Sequence, residues 1–188
     1  MSQINIILIR HGEASASWGD DPDPGLSQLG ENQAIELINN NNELLFLENY
    51  HFISSPKSRA LMTAAPLAKK YNKDVEINAV FSEIPSNGID PKDKKDWLTK
   101  IIKMDLINLP NEVNNWRSEL TKQILSIERD TIIFSHFMVI NALIAEFTNN
   151  QNLLCFYPDY TSITKIIVNN NKVKEFYIGG ERKTPINL

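Results

Sequence analysis

The sequence predicts a three-layer α/β sandwich, a mostly parallel central sheet with helices on both faces. Three observations support this. Short β-branched apolar runs alternate with longer segments of helical periodicity. Two of those runs, residues 4–9 and 131–134, are almost continuously apolar, as strands buried on both faces are. Both then stop at polar residues, Arg10-His11 and Ser135-His136.

Residues 4–9 (Ile-Asn-Ile-Ile-Leu-Ile) form the first predicted strand. A loop rich in Ser, Asp, Pro and Gly follows over residues 14–25. Ser27 is a predicted N-cap for a helix running towards Asn39, with Leu26, Leu29, Ala34, Leu37 and Ile38 on its apolar side. Phe52-Ile53 makes a short strand. Ser55 is a predicted N-cap and Pro56 a first helical residue, ahead of Ala60, Leu61, Ala64, Leu67 and Ala68 at helical spacing. Residues 75–77 suit another short strand. Residues 84–110 are the least regular stretch, with helical character over 97–106. Val113, Trp116, Leu120, Ile124 and Ile127 recur at steps of three and four and predict a helix.

Residues 131–134 form a second buried strand, and an apolar helix follows over 137–147. Residues 162–168 and 173–178 read as a hairpin around an Asn-rich turn. The polar tail after Gly179-Gly180 is expected to be loose.

The 188 residues suit a single domain spanning 1–188, with a variable lid or insertion at about 84–110. The net charge of −4 argues against nucleic acid as a default partner. No run is long and apolar enough for a membrane span, and the start of the chain lacks a secretory signal, so a cytoplasmic setting is expected. Cys155 is the sole cysteine, which excludes a disulfide within the chain and a Cys-based zinc site. The 22 Asn against 7 Gly suggest that Asn fills turns.

Only three histidines are present, His11, His51 and His136, and two of them close buried strands. In open α/β sheets, ligands bind beyond the carboxyl ends of the strands. Arg10 adjoins His11, and Arg59 stands one turn into the helix after Ser55-Pro56. Two imidazoles and two guanidiniums converging there would suit a phosphate, whose oxygens match the arginine fork. The helix starting at Phe137 would add backbone donors. A neutral imidazole can attack phosphorus, and Glu83 is a candidate proton donor to the leaving oxygen.

Several segments in order resemble the histidine phosphatase superfamily, also called phosphoglycerate mutase-like. Arg10-His11-Gly12-Glu13 is similar to the signature holding the nucleophilic histidine. Leu26-Ser27-Gln28-Leu29-Gly30, with Gln33-Ala34, resembles the family's first helix start. Ser54-Ser55-Pro56-Lys57-Ser58-Arg59-Ala60, with Thr63-Ala64, resembles the segment whose Arg binds phosphate. Phe81-Ser82-Glu83 falls where the family has its proton donor, and Ser135-His136 resembles its second histidine. Ser17 stands where many members carry Asn, and Phe137-Met138 where small glycines are common.

The resemblance implies catalytic His11, Glu83 and His136, with Arg10, Arg59, Ser17 and Phe137 as phosphate-binding positions. It implies no metal and no cofactor. The expected activity is that of a metal-independent phosphomonoesterase acting through a phosphohistidine on a small phosphorylated molecule. The alternatives are a phosphoglycerate mutase-type phosphotransferase and a non-catalytic binder of phospho-ligands or phosphoproteins. The chain is short for a mutase, which favours the phosphatase.

Other polar residues read structurally. His51 has no motif around it. Asp20, Asp21 and Asp23 suit a solvated loop rather than a metal site. Cys155, between Leu154 and Phe156, reads as core filler. Residues 92–95 form an exposed charged face that could attract an anion, and Trp97 is expected to pack on the core.

Overall fold

The computed structural model describes residues 3–16, 21–40 and 44–184. Six strands form one mixed sheet: β1 (Ile4–Arg10), β2 (His51–Ser54), β3 (Val75–Ile77), β4 (Thr131–Ser135), β5 (Ile163–Asn169) and β6 (Lys172–Tyr177). Their order is β3-β2-β4-β1-β5-β6. The first four lie parallel, whereas β5 runs antiparallel to β1 and β6 antiparallel to β5. The mostly parallel sheet and the terminal hairpin therefore match the sequence expectation.

The alternation of β1 explains why it looks uniformly apolar. Ile6 and Leu8 belong to one core, with Ile53, Ile133, Ile166 and the helices α4 (Asn111–Leu125) and α5 (Phe137–Phe147). Ile7 and Ile9 belong to the other, with Phe52, Ile132, Phe134 and the helices α1 (Gln28–Asn40) and α2 (Ser58–Tyr71). Helices cover both faces, so neither register of side chains can be polar. A short α3 (Lys94–Ile101) lies in the irregular stretch, starting three residues before the expected helix and ending earlier. Trp97 packs beside the first core, as does half-buried Cys155.

Ser27 caps α1 as expected, its Oγ accepting from Gly30 N at 3.0 Å. Leu29, however, is 53% exposed, because its neighbours Leu26, Ala34 and Leu37 already fill the buried side. The expected start of α2 is corrected. The helix begins at Ser58, not at Pro56, and Lys57 holds the cap position without a side-chain cap. The cap role expected of Ser55 passes to Asp23, whose carboxylate accepts from Ser58 N at 3.1 Å and from Ser58 Oγ at 2.8 Å. Asp23 is thus docked on a helix N-terminus rather than merely solvated, where an anion is favoured.

Asparagine does the turn work that glycine usually does. Of the six non-glycine residues at positive φ among those described, four are Asn: 72, 149, 170 and 171. Asn170 and Asn171 make the β5–β6 turn, for which two successive left-handed residues suit a tight hairpin.

Candidate active site

The parallel register brings three strand ends level. Arg10 pairs with Ser135, and Ser54 with Phe134. Backbone bonds continue one residue beyond: His11 N donates to Ser135 O at 2.9 Å and Ser55 N to Phe134 O at 3.0 Å. His11, Ser55 and His136 are thereby gathered at the carboxyl edge, where an α/β sheet places ligands. The two imidazole centroids lie 5.2 Å apart.

His11 is fully buried. Its Nδ1 donates to Gly12 O at 2.6 Å, and its Nε2 accepts from Arg59 Nε at 3.2 Å. One ring nitrogen therefore carries the proton and the other presents a lone pair. Burial holds His11 well below the ordinary imidazole pKa, reinforced by the charges of Arg59 and Arg10. His136 is lowered in the same way, by burial first and then by Arg59 and neighbouring cations. Its Nε2 meets Ser55 Oγ at 2.7 Å, while its buried Nδ1 has no hydrogen-bond partner among the described residues.

Arg59 comes from the first turn of α2 and is 2% exposed. Its position is set by a small network: Thr63 Oγ1 donates to Arg59 O at 2.7 Å and accepts from Gly12 N at 3.0 Å. Thr63 thus ties α2 to the turn that carries His11. Arg10 is fully buried, its guanidinium carbon 4.2 Å from the Tyr160 ring centroid and 5.0 Å from that of Phe137. Burial brings its pKa down to about 10, which leaves it charged near neutral pH.

Two close approaches hold the His11 turn. A side chain at Gly30 would place Cβ 2.1 Å from Glu13 O, and one at Gly12 would meet Gly30 O at 2.7 Å. Glu13 is bound on both sides, its N–H to Gln33 Oε1 at 2.8 Å and its Oε1 to Ser27 Oγ at 2.8 Å. Helix α1 therefore serves as a buttress for the turn.

Glu83 follows a 3-10 turn over Ala79–Phe81 and is 9% exposed. Its carboxylate accepts from Ile84 N at 3.0 Å and from Met138 N at 3.1 Å, the latter near the start of α5. Burial nevertheless dominates and raises its pKa to about 7, against the lowering effects of those bonds and of Arg59 and Arg10. A cleft of about 380 Å³ opens beside it, lined by Arg59, Glu83, Lys57, Lys94, Asn87 and Trp116 among others.

The structure thus brings together His11, His136, Arg10, Arg59 and Glu83. Phe137, expected among the phosphate-binding positions, has a buried ring facing Arg10 and Tyr157. Ser17 lies outside the described residues. His51 stands at the opposite edge, at the start of β2, bonded to Glu76 at 2.8 Å and Arg129 at 3.0 Å. Among the described residues, no three His, Cys, Asp or Glu side chains cluster so as to hold a metal ion. Nor is any described helix long and apolar enough to cross a membrane. Sequence reading missed Ser55, Tyr160 and Asp23 as neighbours of the site. Only the Ser-Ser-Pro run gave a local signal for any of them.

Fold and site together define an α/β protein with paired imidazoles and paired guanidiniums at the carboxyl edge of its sheet. Residues 6–176 match the family model of the histidine phosphatase superfamily (branch 1). The chain belongs to that superfamily. A search of curated sequences finds no significant match. Among solved structures, a mycobacterial glucosyl-3-phosphoglycerate phosphatase in complex with VO3 is similar at a TM-score of 0.70 and 17% identity, covering 95% of this chain and 100% of that one. A phosphoserine phosphatase from Entamoeba histolytica, in complex with 3-phosphoglyceric acid, is similar at a TM-score of 0.69 and 20% identity, covering 96% and 98%. A protein described as mycobacterial hydrolase 1 gives a TM-score of 0.71 at 17% identity, covering 96% and 100%. At these identities the likeness is one of fold.

Proposed function

We propose that this protein is a metal-independent phosphomonoesterase that works through a phosphohistidine on a small phosphorylated substrate. The observation that carries the reading is the state of His11. With Nδ1–H held by Gly12 O and the ring kept neutral, the lone pair on Nε2 faces the Arg59 guanidinium. A phosphoryl group gripped by Arg59 would therefore lie against the nucleophilic atom.

In the first step, Nε2 attacks phosphorus in line and the bond to the alcohol oxygen breaks. Arg10 and Arg59 offset the charge on the equatorial oxygens. We take the Ser55 hydroxyl to donate to His136 Nε2 at 2.7 Å, which corresponds to the tautomer protonated on Nδ1. His136 Nδ1 then carries a proton for a phosphoryl oxygen. Glu83, with a pKa of about 7, gives its proton to the departing alkoxide. In the second step the Glu83 carboxylate takes a proton from water, which attacks phosphorus and releases inorganic phosphate and neutral His11.

The cleft beyond Glu83 supports a substrate of modest size, and Lys57 and Lys94 in its wall favour an anionic one. We assign substrate selection to residues 84–110, which act as a lid on the same domain. Residues 84–87 and Lys94 supply part of that wall.

An aryl phosphate assay on wild type and His11→Ala tests the proposal. Wild type should turn over and form an acid-labile phosphohistidine, and His11→Ala should do neither. Equal activity, or no activity in wild type across many phosphomonoesters, would sink the proposal and favour a non-catalytic binder. Release of an isomerised phosphate ester instead of inorganic phosphate would mark a mutase.

A further inference from the structure

The C-terminal segment is not loose over residues 181–184. Pro158 and Glu181 form an antiparallel bridge, Arg182 N donates to Tyr157 O at 2.9 Å, and Tyr157 N donates to Glu181 Oε1 at 3.1 Å. Arg182 adds an ion pair to Asp159 at 3.3 Å. The segment therefore runs back along residues 157–159, and this path carries Thr184 to the active site. There, Arg10 Nη1 donates to Pro158 O at 2.7 Å and to Thr184 Oγ1 at 2.5 Å.

We propose that Thr184 is a positioning residue for Arg10, held in place by the docking of residues 181–182 along residues 157–159. The inference rests on reading Arg10 as a phosphate ligand. A guanidinium matches phosphate through a planar fork, so its value depends on the angle at which the fork is held. The rings of Tyr160 and Phe137 set the plane of Arg10. Stacking alone does not set its rotation within that plane. Hydrogen bonds do: one with the Tyr160 side chain, and two from Nη1 to Pro158 O and Thr184 Oγ1, the last from the far end of the chain. Loss of the Thr184 acceptor lets the fork turn, and contacts made at a buried charge are sensitive to such misplacement.

The test is calorimetric titration of inorganic phosphate into the full chain, which needs no turnover. Thr184→Val keeps the shape and removes the acceptor; it should weaken phosphate binding about tenfold, as expected for a hydrogen bond to a charged group. Thr184→Ser should restore affinity to within about twofold of wild type. Removal of residues 183–188 should match Thr184→Val. Arg10→Lys, which keeps the charge but loses the fork, separates the two levels of the proposal. If Arg10→Lys binds phosphate like wild type, the reading of Arg10 fails. If Arg10→Lys is weakened while Thr184→Val is not, or if Thr184→Ser is as weak as Thr184→Val, the role of Thr184 is overturned. In an aryl phosphate assay, Thr184→Val should raise KM more than it lowers kcat, whereas general loosening of the fold would lower the melting temperature.

Discussion

Arg59 Nε donates to His11 Nε2 across 3.2 Å, placing a permanent cation against the unprotonated nitrogen of a buried imidazole. Burial, then Arg59, then Arg10 hold His11 well below the ordinary imidazole pKa. In the proposed mechanism protonation of His11 would remove the nucleophile, so kcat/KM should fall only well below pH 6.5, the ordinary value. The substrate phosphate itself titrates at about 6 and must be corrected for. Arg59→Met should move the acid limb to higher pH as well as weaken phosphate binding. A wild-type limb at the ordinary imidazole value would contradict this electrostatic picture.

Glu83 should matter in proportion to the leaving group's need for a proton. Glu83→Gln should slow hydrolysis of alkyl phosphates by a factor of about 100 or more, the usual range for general acid catalysis, and aryl phosphates far less. For alkyl phosphates, kcat/KM should decline above a pH of about 7 as the acid form is lost. Identical losses for both substrate types would rule out the proton-donor role.

The same group affects stability. Its folded pKa of about 7 lies above the ordinary 4.5, so the folded protein holds that proton more tightly than the unfolded chain. Stability from this source is complete below pH 4.5 and is lost as pH rises through 7. The full loss corresponds to about 3 kcal/mol. Glu83→Gln lacks this titration, so its stability relative to wild type should increase between pH 4.5 and 8. Urea melts across that range provide the check, and a difference independent of pH would refute the prediction.

Gly30→Ala sets two effects against each other. Alanine favours a helix over glycine by about 1 kcal/mol. The added Cβ would meet Glu13 O at 2.1 Å, a backbone atom beside the His11 turn. Overpacking against backbone costs typically about 1–3 kcal/mol or more, so the clash should win. A lowered melting temperature and a lower kcat are expected together, since the displaced residue adjoins Gly12.

Asp23→Ala should cost about 0.5–2 kcal/mol through the lost cap on α2, with a rise in KM because Arg59 follows Ser58 directly. Asp23→Asn should recover part of both. His51→Ala provides the contrast: His51 sits at the far edge of the sheet with Glu76 and Arg129 and should leave kcat and KM nearly unchanged. Loss of activity in that variant would show the site to be elsewhere.

The sequence alone made four of the five central residues legible. Arg10, His11 and His136 end strands whose apolar runs are unmistakable, and Arg59 lies near the start of a helix marked by alanines at regular spacing. Such assignments need only local periodicity and the rule that α/β sheets carry ligands at their carboxyl edge. Glu83 was nominated as an acid on a loop after a candidate strand, a position the resemblance also marks, but nothing in Phe81-Ser82-Glu83 reveals its burial. The start of α2 was misplaced by two residues, since the polar side chain that caps it is 35 positions away in the chain.

What the sequence determined, therefore, was the alternation of strand and helix and the residues at the strand ends. Both are set by side-chain period and by the abrupt change from apolar to polar. What only the tertiary structure decided was environment: the raised pKa of Glu83 against Met138 N, the pairing of Ser55 with His136, and the grip of Thr184 on Arg10 across 174 positions. Proton affinity and fork angle depend on which groups share a desolvated space, and chain folding brings those groups together from distances at which no local pattern survives.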